Sequence, residues 1–198
     1  REAGLEGTLI VPSNIGGAHW GGVAYDPERQ IAVVPVNRVA AVAQLIPRER
    51  YDRASAEPGW EYAPMQGTPY VIRRRILLSP LGLPCTPPPF GALVAVSLAT
   101  GRKLWEVPLG TTRDLFASRI WIPLAFRWGT PNLGGPIATG GGLVFIAAAM
   151  DDYLRAFDIE TGRELWKGRL PAGGQATPMT CRVAGDRRQY VVVSAGGH

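Results

Sequence analysis

The chain has 198 residues, 46% of them apolar, so it can bury a sizeable core, and its 25 Gly and 18 Pro favour turn-rich β structure over long helices. Its formal net charge is +5, but apart from the clusters at residues 73–75 and 187–188 the basic residues are scattered. Since nucleic-acid binding requires a concentrated basic face, this distribution argues against a nucleic-acid partner.

The first elements are short strands separated by glycine-rich loops. Residues 9–11 are a predicted strand, and the loop that begins at Pro12 leads to a second strand over residues 20–25. A turn at residues 26–29 joins this strand to a hairpin partner over residues 31–36, because Asp and Pro between two apolar runs favour chain reversal.

Residues from about 37 to 90 break this pattern. They are rich in Pro and in charged residues, among them the run at 48–52, and we predict an irregular insertion here. A long irregular segment inside a compact repeat is commonly functional or forms a lid. The basic cluster at residues 73–75 fits a solvated loop in this interpretation.

Two later stretches are near copies of each other. Residues 95–105 return as residues 156–166, with Ala, Thr, Gly, Arg, Leu and Trp at matching places. In each copy an apolar strand enters a Thr-Gly turn and leaves it as a strand ending in Leu-Trp, which predicts a hairpin. Gly101 and Gly162 supply the positive φ that such a tight turn requires.

The tryptophans that end the two copies, Trp105 and Trp166, are predicted to wedge between adjacent sheets. A large ring fills that space well, and its indole N–H can reach a backbone carbonyl. A repeated position implies a repeated architectural role. The two tryptophans are therefore assigned to packing between sheets.

The remaining strands complete an all-β pattern. Strands resume at Ala92 and at Ile137, and they continue over residues 143–149 and 153–158; a last pair covers residues 176–183 and 189–194. Repeated hairpins at this long spacing suit four-stranded blades with inserted loops. The predicted fold is a partial β-propeller of roughly three blades, cut from the C-terminal part of a larger ring.

Two features leave the cellular compartment open. The longest apolar stretch, residues 142–150, is far too short to cross a bilayer. Cys85 and Cys181 are either free or paired, and their spacing fits neither a metal site nor a redox motif.

Beside the repeated Thr-Gly-x-x-Leu-Trp motif, four runs are distinctive, residues 129–139, 143–158, 168–179 and 194–198, and four shorter ones accompany them, residues 5–14, 20–23, 44–48 and 80–85. Taken together, these runs resemble the membrane-bound glucose dehydrogenases that depend on pyrroloquinoline quinone (PQQ). The repeated motif is shared with quinoprotein alcohol dehydrogenases in general, and the stretch from residue 168 to residue 198 is more specific.

The resemblance implies an eight-bladed propeller that holds PQQ and a divalent cation, calcium or magnesium, near its axis. In such enzymes an aspartate is the general base on a sugar or polyol hydroxyl, and the metal polarises the quinone carbonyl that receives the hydride. The family places this aspartate upstream of Arg1, so the chain alone is expected to be inactive. Electrons pass to membrane ubiquinone. The implied location is the periplasmic side of the bacterial inner membrane, with an anchor in an upstream region.

The resemblance and the loop chemistry together suggest site residues. Asn14 offers an amide to a quinone oxygen, and the Trp20 indole can stack or line a pocket. The glycines of the 133–135 loop let backbone approach a flat ligand, and Asp151, beside Asp152, could bind a cation. The predicted cofactor residues are Asn14, Trp20, Leu133, Gly134, Gly135, Gln175 and His198, with Asp151 as the candidate metal ligand. His19 is left without an assigned role.

Two alternatives to a glucose dehydrogenase remain. A non-catalytic propeller, such as a scaffold of the outer-membrane assembly machinery, shares the blade motif but has no reason to keep Gly-Gly-His at residues 196–198. A PQQ-dependent enzyme that oxidises quinate or another polyol would keep these residues. The sequence does not separate the second alternative from a glucose dehydrogenase.

Overall fold

The computed structural model describes residues 2–52, 56–111 and 127–196. Apart from one 3₁₀ turn at Arg48–Arg50, every regular element in these ranges is a β-strand, which confirms the predicted all-β class. No helix in the described ranges is long and apolar enough to span a membrane. The strands are β1 (Thr8–Ile10), β2 (Ala24–Asp26), β3 (Ile31–Asn37), β4 (Ala41–Pro47), β5 (Glu61–Pro64), β6 (Tyr70–Ile76), β7 (Gly91–Ser97), β8 (Lys103–Pro108), β9 (Ile137–Ala138), β10 (Leu143–Ile146), β11 (Tyr153–Asp158), β12 (Glu164–Arg169), β13 (Met179–Arg182) and β14 (Gln189–Val192).

The chain forms two compact units. The insertion unit comprises Arg1–Asn14 and Arg38–Pro87, and the main unit comprises Ile15–Asn37 and Pro88–His198. In the main unit, one antiparallel sheet has the order β2-β3-β7-β8 and a second has the order β9-β10-β11-β12, and β13 pairs with β14. We call the two four-stranded sheets the first blade and the second blade.

The repeated motif occupies the same place in both blades. It spans the hairpin β7–β8 in the first blade and β11–β12 in the second, and each hairpin contains a register shift after the same residue of the repeat. Ala95 pairs with Trp105, and Ala156 pairs with Trp166. The predicted equivalence of the two copies is therefore confirmed at the level of strand register.

The two blades pack face to face through one apolar core. Buried residues of the first blade, such as Val33 and Leu93, belong to the same cluster as Val144, Ile146 and Phe157 of the second. Trp105 packs against this cluster and donates its indole N–H to the carbonyl oxygen of Ile159 at 2.8 Å. Trp105 therefore packs between successive sheets, as predicted.

The insertion unit is a sheet, and the prediction of an irregular insertion is wrong. Its strands are ordered β1-β4-β6-β5, all antiparallel. Ala41, Ala43 and Val71 are buried, while charged side chains on β5 and β6 face each other across the ladder, as in the ion pair Arg74–Glu61 at 2.8 Å. Strands are normally recognised by alternating apolar residues, but β5 and β6 carry paired charges at such positions. Their composition therefore resembles that of a loop.

The basic cluster of the insertion unit lies on a strand, not in the predicted loop. Arg73 and Arg75 hold their guanidinium groups 4.3 Å and 4.6 Å from the ring centre of Trp60. Arg73 also pairs with Glu57 at 2.8 Å, and the ion pair raises the pKa of its guanidinium. The cluster is thereby bound to its own sheet by cation–π contacts and salt bridges.

Candidate functional site

The predicted strand over residues 20–25 begins only at Ala24, because the preceding residues form a turn. The backbone N–H of Gly22 donates to the carbonyl oxygen of His19 at 3.1 Å, and Gly22 has a φ of +84°. Trp20 and Gly21 therefore occupy the tip of a tight turn in the main unit. At that tip the Trp20 side chain is 77% exposed.

This turn rests on the loop that contains Gly134 and Gly135. A Cβ on Gly21 would lie 2.6 Å from the carbonyl carbon of Gly134, and a Cβ on Gly135 would collide with the carbonyl oxygen of Gly21. Both positions require glycine because two backbones meet there without side chains between them. The glycine pair was predicted to admit a ligand, and what approaches it here is another protein loop.

A third segment joins the same place. A Cβ on Gly134 would lie 2.9 Å from the carbonyl oxygen of Gln175, and the Thr177 hydroxyl donates to the Gly21 carbonyl oxygen at 3.3 Å. Residues 20–22, 133–135 and 175–177 thus form what we call the loop junction. The junction brings together five of the predicted cofactor residues, which are Trp20, Leu133, Gly134, Gly135 and Gln175.

A small cavity opens beside the loop junction. It has a volume of about 80 Å³ and is lined by Leu133 and Gln175 together with apolar groups such as Ile15, Pro131 and Met150. This volume holds a few water molecules at most. A fused-ring ligand would therefore use these residues as one wall of a larger pocket.

The loop junction is stabilised by hydrogen bonds between Asn37 and Asn132, which the sequence analysis did not find. Asn37 and Asn132 are 2% and 1% exposed, and the Asn37 side-chain amide bonds to the Asn132 backbone through both of its polar atoms. Asn37 Nδ2 donates to the Asn132 carbonyl oxygen at 2.9 Å, and the Asn132 backbone N–H donates to Asn37 Oδ1 at 2.8 Å. Asn132 lies in the run at residues 129–139 that carries the family resemblance, but Asn37 lies in none of the runs, and nothing in the sequence indicates that the two residues meet.

His19 connects this network to the turn. Its Nε2 lies 2.8 Å from Asn132 Oδ1, and its Nδ1 accepts the backbone N–H of Gly21 at 3.1 Å. A backbone N–H can only donate, so Nδ1 carries no proton and Nε2–H is the donor to Asn132. The imidazole is thus held as one neutral tautomer.

The last two predicted cofactor residues are Asn14 and His198. Asn14 is exposed and belongs to the insertion unit, where it follows β1. His198 lies outside the described residues. The cofactor roles assigned to both remain predictions.

Asp151, the candidate metal ligand, has its carboxylate occupied by protein donors. Arg155 donates to Oδ1 at 2.7 Å and to Oδ2 at 2.6 Å, and the Thr111 backbone N–H also reaches Oδ2 at 2.6 Å. Asp151 is fully buried, and Arg155 is 2% exposed. This geometry is that of a structural ion pair, and within the described ranges no three His, Cys, Asp or Glu side chains cluster as metal ligands.

Comparison with known proteins adds to this geometry. Residues 2–191 match the PQQ family described as the glucose/ethanol/alcohol dehydrogenase β-propeller domain. The chain is 43% identical over 200 residues to the quinoprotein glucose dehydrogenase of Escherichia coli, covering 98% of this chain and 25% of that protein. It is also 43% identical over 201 residues to the quinate/shikimate dehydrogenase (quinone) of Acinetobacter baylyi, again covering 98% and 25%.

Solved structures agree on the architecture. A europium-containing methanol dehydrogenase superposes with a TM-score of 0.62 at 25% identity, over 96% of this chain and 26% of the other. The chain spans about a quarter of the length of the curated relatives that it matches.

Proposed function

The chain belongs to the PQQ glucose/ethanol/alcohol dehydrogenase β-propeller family, and on this premise we propose that it is part of an enzyme that oxidises glucose or a related sugar or polyol. The two blades and the β13–β14 hairpin would be successive members of an eight-bladed ring. The loop junction would be the contribution of this chain to the cofactor pocket.

One observation supports this assignment above the others. Five residues predicted as cofactor contacts, separated by up to about 150 positions in sequence, converge on one junction beside an open cavity. The fit to a flat aromatic cofactor rests on the exposed Trp20 indole and on the Leu133 and Gln175 side chains that line the cavity. An indole offers a face for stacking, and the N–H groups of the Gln amide can donate to quinone oxygens.

PQQ, when bound, would supply a quinone that accepts hydride from the substrate alcohol. The residues of this chain would bind and orient it. Trp20 would cover one face, Gln175 would hydrogen-bond to its polar rim, and Leu133 would exclude water. The general base, which the resemblance places upstream of Arg1, would come from outside this chain.

Further parts of the proposal rest on the resemblance alone. A divalent cation, calcium or magnesium, would bind with PQQ, and Asn14 and His198 would add contacts to the cofactor. The electron acceptor would be membrane ubiquinone, on the periplasmic side of the inner membrane, with the anchor in an upstream region.

Quinate or another polyol is the second candidate substrate. It is favoured by one observation, the 43% identity to a quinate/shikimate dehydrogenase (quinone), which equals the identity to a glucose dehydrogenase. The scaffold alternative is not favoured by these matches, since the relatives named above are dehydrogenases.

The test uses the full-length protein that contains this chain. The apoprotein is mixed with PQQ and calcium, binding is measured by equilibrium dialysis, and dye reduction is followed with glucose and with quinate. Trp20→Ala should weaken PQQ binding about tenfold, the equivalent of about 1.4 kcal/mol for a lost aromatic contact.

Tyr25→Ala is the matched control, because Tyr25 is another exposed aromatic residue of the main unit that lies outside the loop junction. It should leave PQQ affinity unchanged. If the unsubstituted protein does not bind PQQ, the proposed function is wrong; if Trp20→Ala binds as tightly as the parent, the assignment of Trp20 is wrong.

A further inference from the structure

We propose that His19 is a positioning residue that holds Trp20 at the cofactor pocket by locking the 19–22 turn to the buried Asn37–Asn132 pair. The inference rests on the proposed function, since it takes Trp20 to be a cofactor contact. It assigns a role to a residue that neither the sequence motifs nor the family resemblance singled out.

The first step of the argument is that Trp20 needs external support. Its side chain is 77% exposed, and its ring is in edge contact with the His19 ring, with centroids 6.0 Å apart. An exposed indole at the tip of a turn is oriented mainly by its backbone. The rigidity of the turn therefore decides how well the indole is preorganised for a ligand.

The second step is that His19 closes this turn twice. Its carbonyl oxygen accepts the Gly22 N–H at 3.1 Å, and its Nδ1 accepts the Gly21 N–H at 3.1 Å. The main-chain bond would exist with any residue at position 19. The bond to Nδ1 depends on the imidazole, which makes it specific to this side chain.

The third step is that the imidazole is itself anchored in the core. Asn132 accepts from Nε2–H, and its own Nδ2 donates to the Val36 carbonyl oxygen at 3.3 Å, which fixes the amide with its oxygen toward His19. Asn37 then ties the Asn132 backbone to the end of β3. A continuous chain of hydrogen bonds thus runs from the blade core to the backbone on both sides of Trp20.

Glycine packing alone would not achieve this. The contacts of Gly21 with Gly134 fix the distance between the turn and the 133–135 loop, because no side chain separates the two backbones. They are isotropic contacts and do not define the rotation of the turn. The directional bonds through His19, together with the longer bond from the Thr177 hydroxyl to the Gly21 carbonyl oxygen at 3.3 Å, supply that definition.

The test is a double-mutant cycle on the full-length apoprotein, with PQQ in the presence of calcium as the ligand and equilibrium dialysis as the readout. The four proteins are the parent, His19→Ala, Trp20→Ala and the double variant. His19→Ala should weaken PQQ binding about fivefold to tenfold in the parent background. In the Trp20→Ala background the same change should weaken binding less than twofold, because His19 acts through Trp20.

A second readout needs no cofactor. Hydrogen exchange of the apoprotein, followed by mass spectrometry, should show faster exchange at residues 20–22 in His19→Ala, with β3 and β7 unchanged. The unchanged strands establish that the variant is folded. His19→Gln, whose amide can still donate to Asn132, should lie between the parent and His19→Ala in both measurements.

The outcomes separate the two proposals. If the parent does not bind PQQ, the proposed function falls and this inference falls with it. If the parent binds PQQ and His19→Ala binds equally well, or weakens binding to the same extent with and without Trp20, only the positioning role is overturned. Unchanged exchange at residues 20–22 in His19→Ala also overturns it.

Discussion

The two copies of the Thr-Gly-x-x-Leu-Trp hairpin form the same turn from different side chains. In the first blade the Gly101 N–H donates to the Ser97 carbonyl oxygen at 2.8 Å, and in the second the Gly162 N–H donates to the Asp158 carbonyl oxygen at 2.9 Å. The residue before each turn also accepts a bond from the Thr backbone N–H. These bonds are all local to the hairpin.

The tryptophans that end the two hairpins differ in what covers them. The Trp105 ring packs against Gly162 of the second blade, and its N–H is bonded there, whereas Trp166 is 52% exposed and lies over Gly168 of its own strand. A hairpin sets the position of its tryptophan, but the following sheet provides the burial. The motif therefore determines where the tryptophan lies but not whether it is buried.

The blades also differ in the connection between their two middle strands. The largest loss of stability that we expect comes from a substitution in this connection. The first blade carries the insertion unit there, and the second has a short turn with the buried Asp151–Arg155 pair. Asp151→Ala should lower the free energy of unfolding by about 3 kcal/mol, because the buried Arg155 guanidinium loses both of its bonds to Asp151 and is left with the ion pair to the partly exposed Glu164 at 3.2 Å. Urea denaturation in buffer with a metal chelator measures this loss.

Asp152→Ala is the matched control for that experiment. Asp152 is the adjacent carboxylate, and it is only partly buried, 3.7 Å from Arg169. Such an ion pair contributes less than about 1 kcal/mol. If Asp151→Ala loses its effect once the chelator is present, the ion pair is not the reason for the destabilisation, and a metal-linked role for Asp151 gains support.

The second prediction compares the tryptophans directly. Trp105→Ala should cost about 3 kcal/mol of unfolding free energy, because it opens a cavity between the blades and leaves the Ile159 carbonyl oxygen without its donor. Trp166→Ala should cost about 1 kcal/mol in this chain, where half of the side chain is exposed. Thermal denaturation of the isolated chain measures both, and equal losses would contradict the comparison.

The third prediction concerns the turn glycines. Gly101 and Gly162 share a left-handed conformation, with φ of +69° and +71°. A Cβ on Gly101 meets nothing within 4 Å, but a Cβ on Gly162 would lie 2.6 Å from the Trp105 ring. Gly101→Ala should cost about 1 kcal/mol from backbone strain alone. Gly162→Ala should cost about 2–3 kcal/mol because the ring must also move.

Equilibrium urea titrations of the two alanine variants give this difference. The comparison fails if Gly101→Ala is as damaging as Gly162→Ala, since the strain of the left-handed backbone would then explain both. A combined Gly162→Ala and Trp105→Ala variant should be less destabilised than the sum of the two single variants, because the clash disappears with the ring.

The hairpins could be predicted from sequence because their determinants are local. Turn residues, strand alternation and the terminal tryptophan all lie within about a dozen positions. The insertion unit could not be recognised, because ion pairs such as Arg74–Glu61 hide the apolar alternation of its strands. The strand predicted at residue 20 was misplaced because aromatic and glycine residues in a row fit a strand and a turn equally well.

The candidate site was predictable only in part for the same reason. Trp20, Gln175 and the Gly134–Gly135 pair were found by resemblance, but what each glycine contacts depends on a partner more than 40 positions away. Asn132 lies in the run at residues 129–139, but its bonds with the Asn37 side chain could not be predicted, because they form only when β3 and the loop around residue 132 meet. Non-local hydrogen bonds leave no periodic trace in a sequence.

The smallest expected effect concerns the one chemical difference inside the turns, Ser97 against Asp158. The Asp158 carboxylate accepts bonds from the Thr161 hydroxyl and backbone at 2.8 Å, and these lower its pKa below the usual 3.8. Because the folded pKa lies below the unfolded one, this stabilisation is complete above about pH 4 and is lost as the pH falls through the folded value.

Asp158→Ser, which copies the first hairpin into the second, should cost less than about 1 kcal/mol near pH 7. The difference in unfolding free energy between parent and variant should shrink toward zero as the pH falls below 4. Urea titrations at a series of pH values measure it, and Ser97→Ala, which removes no titrating group, should give a difference that does not change over that range. A difference between parent and Asp158→Ser that is zero at every pH would mean that the serine hydroxyl replaces the carboxylate fully. The two turns would then be chemically interchangeable, and only the cover over their tryptophans would distinguish the blades.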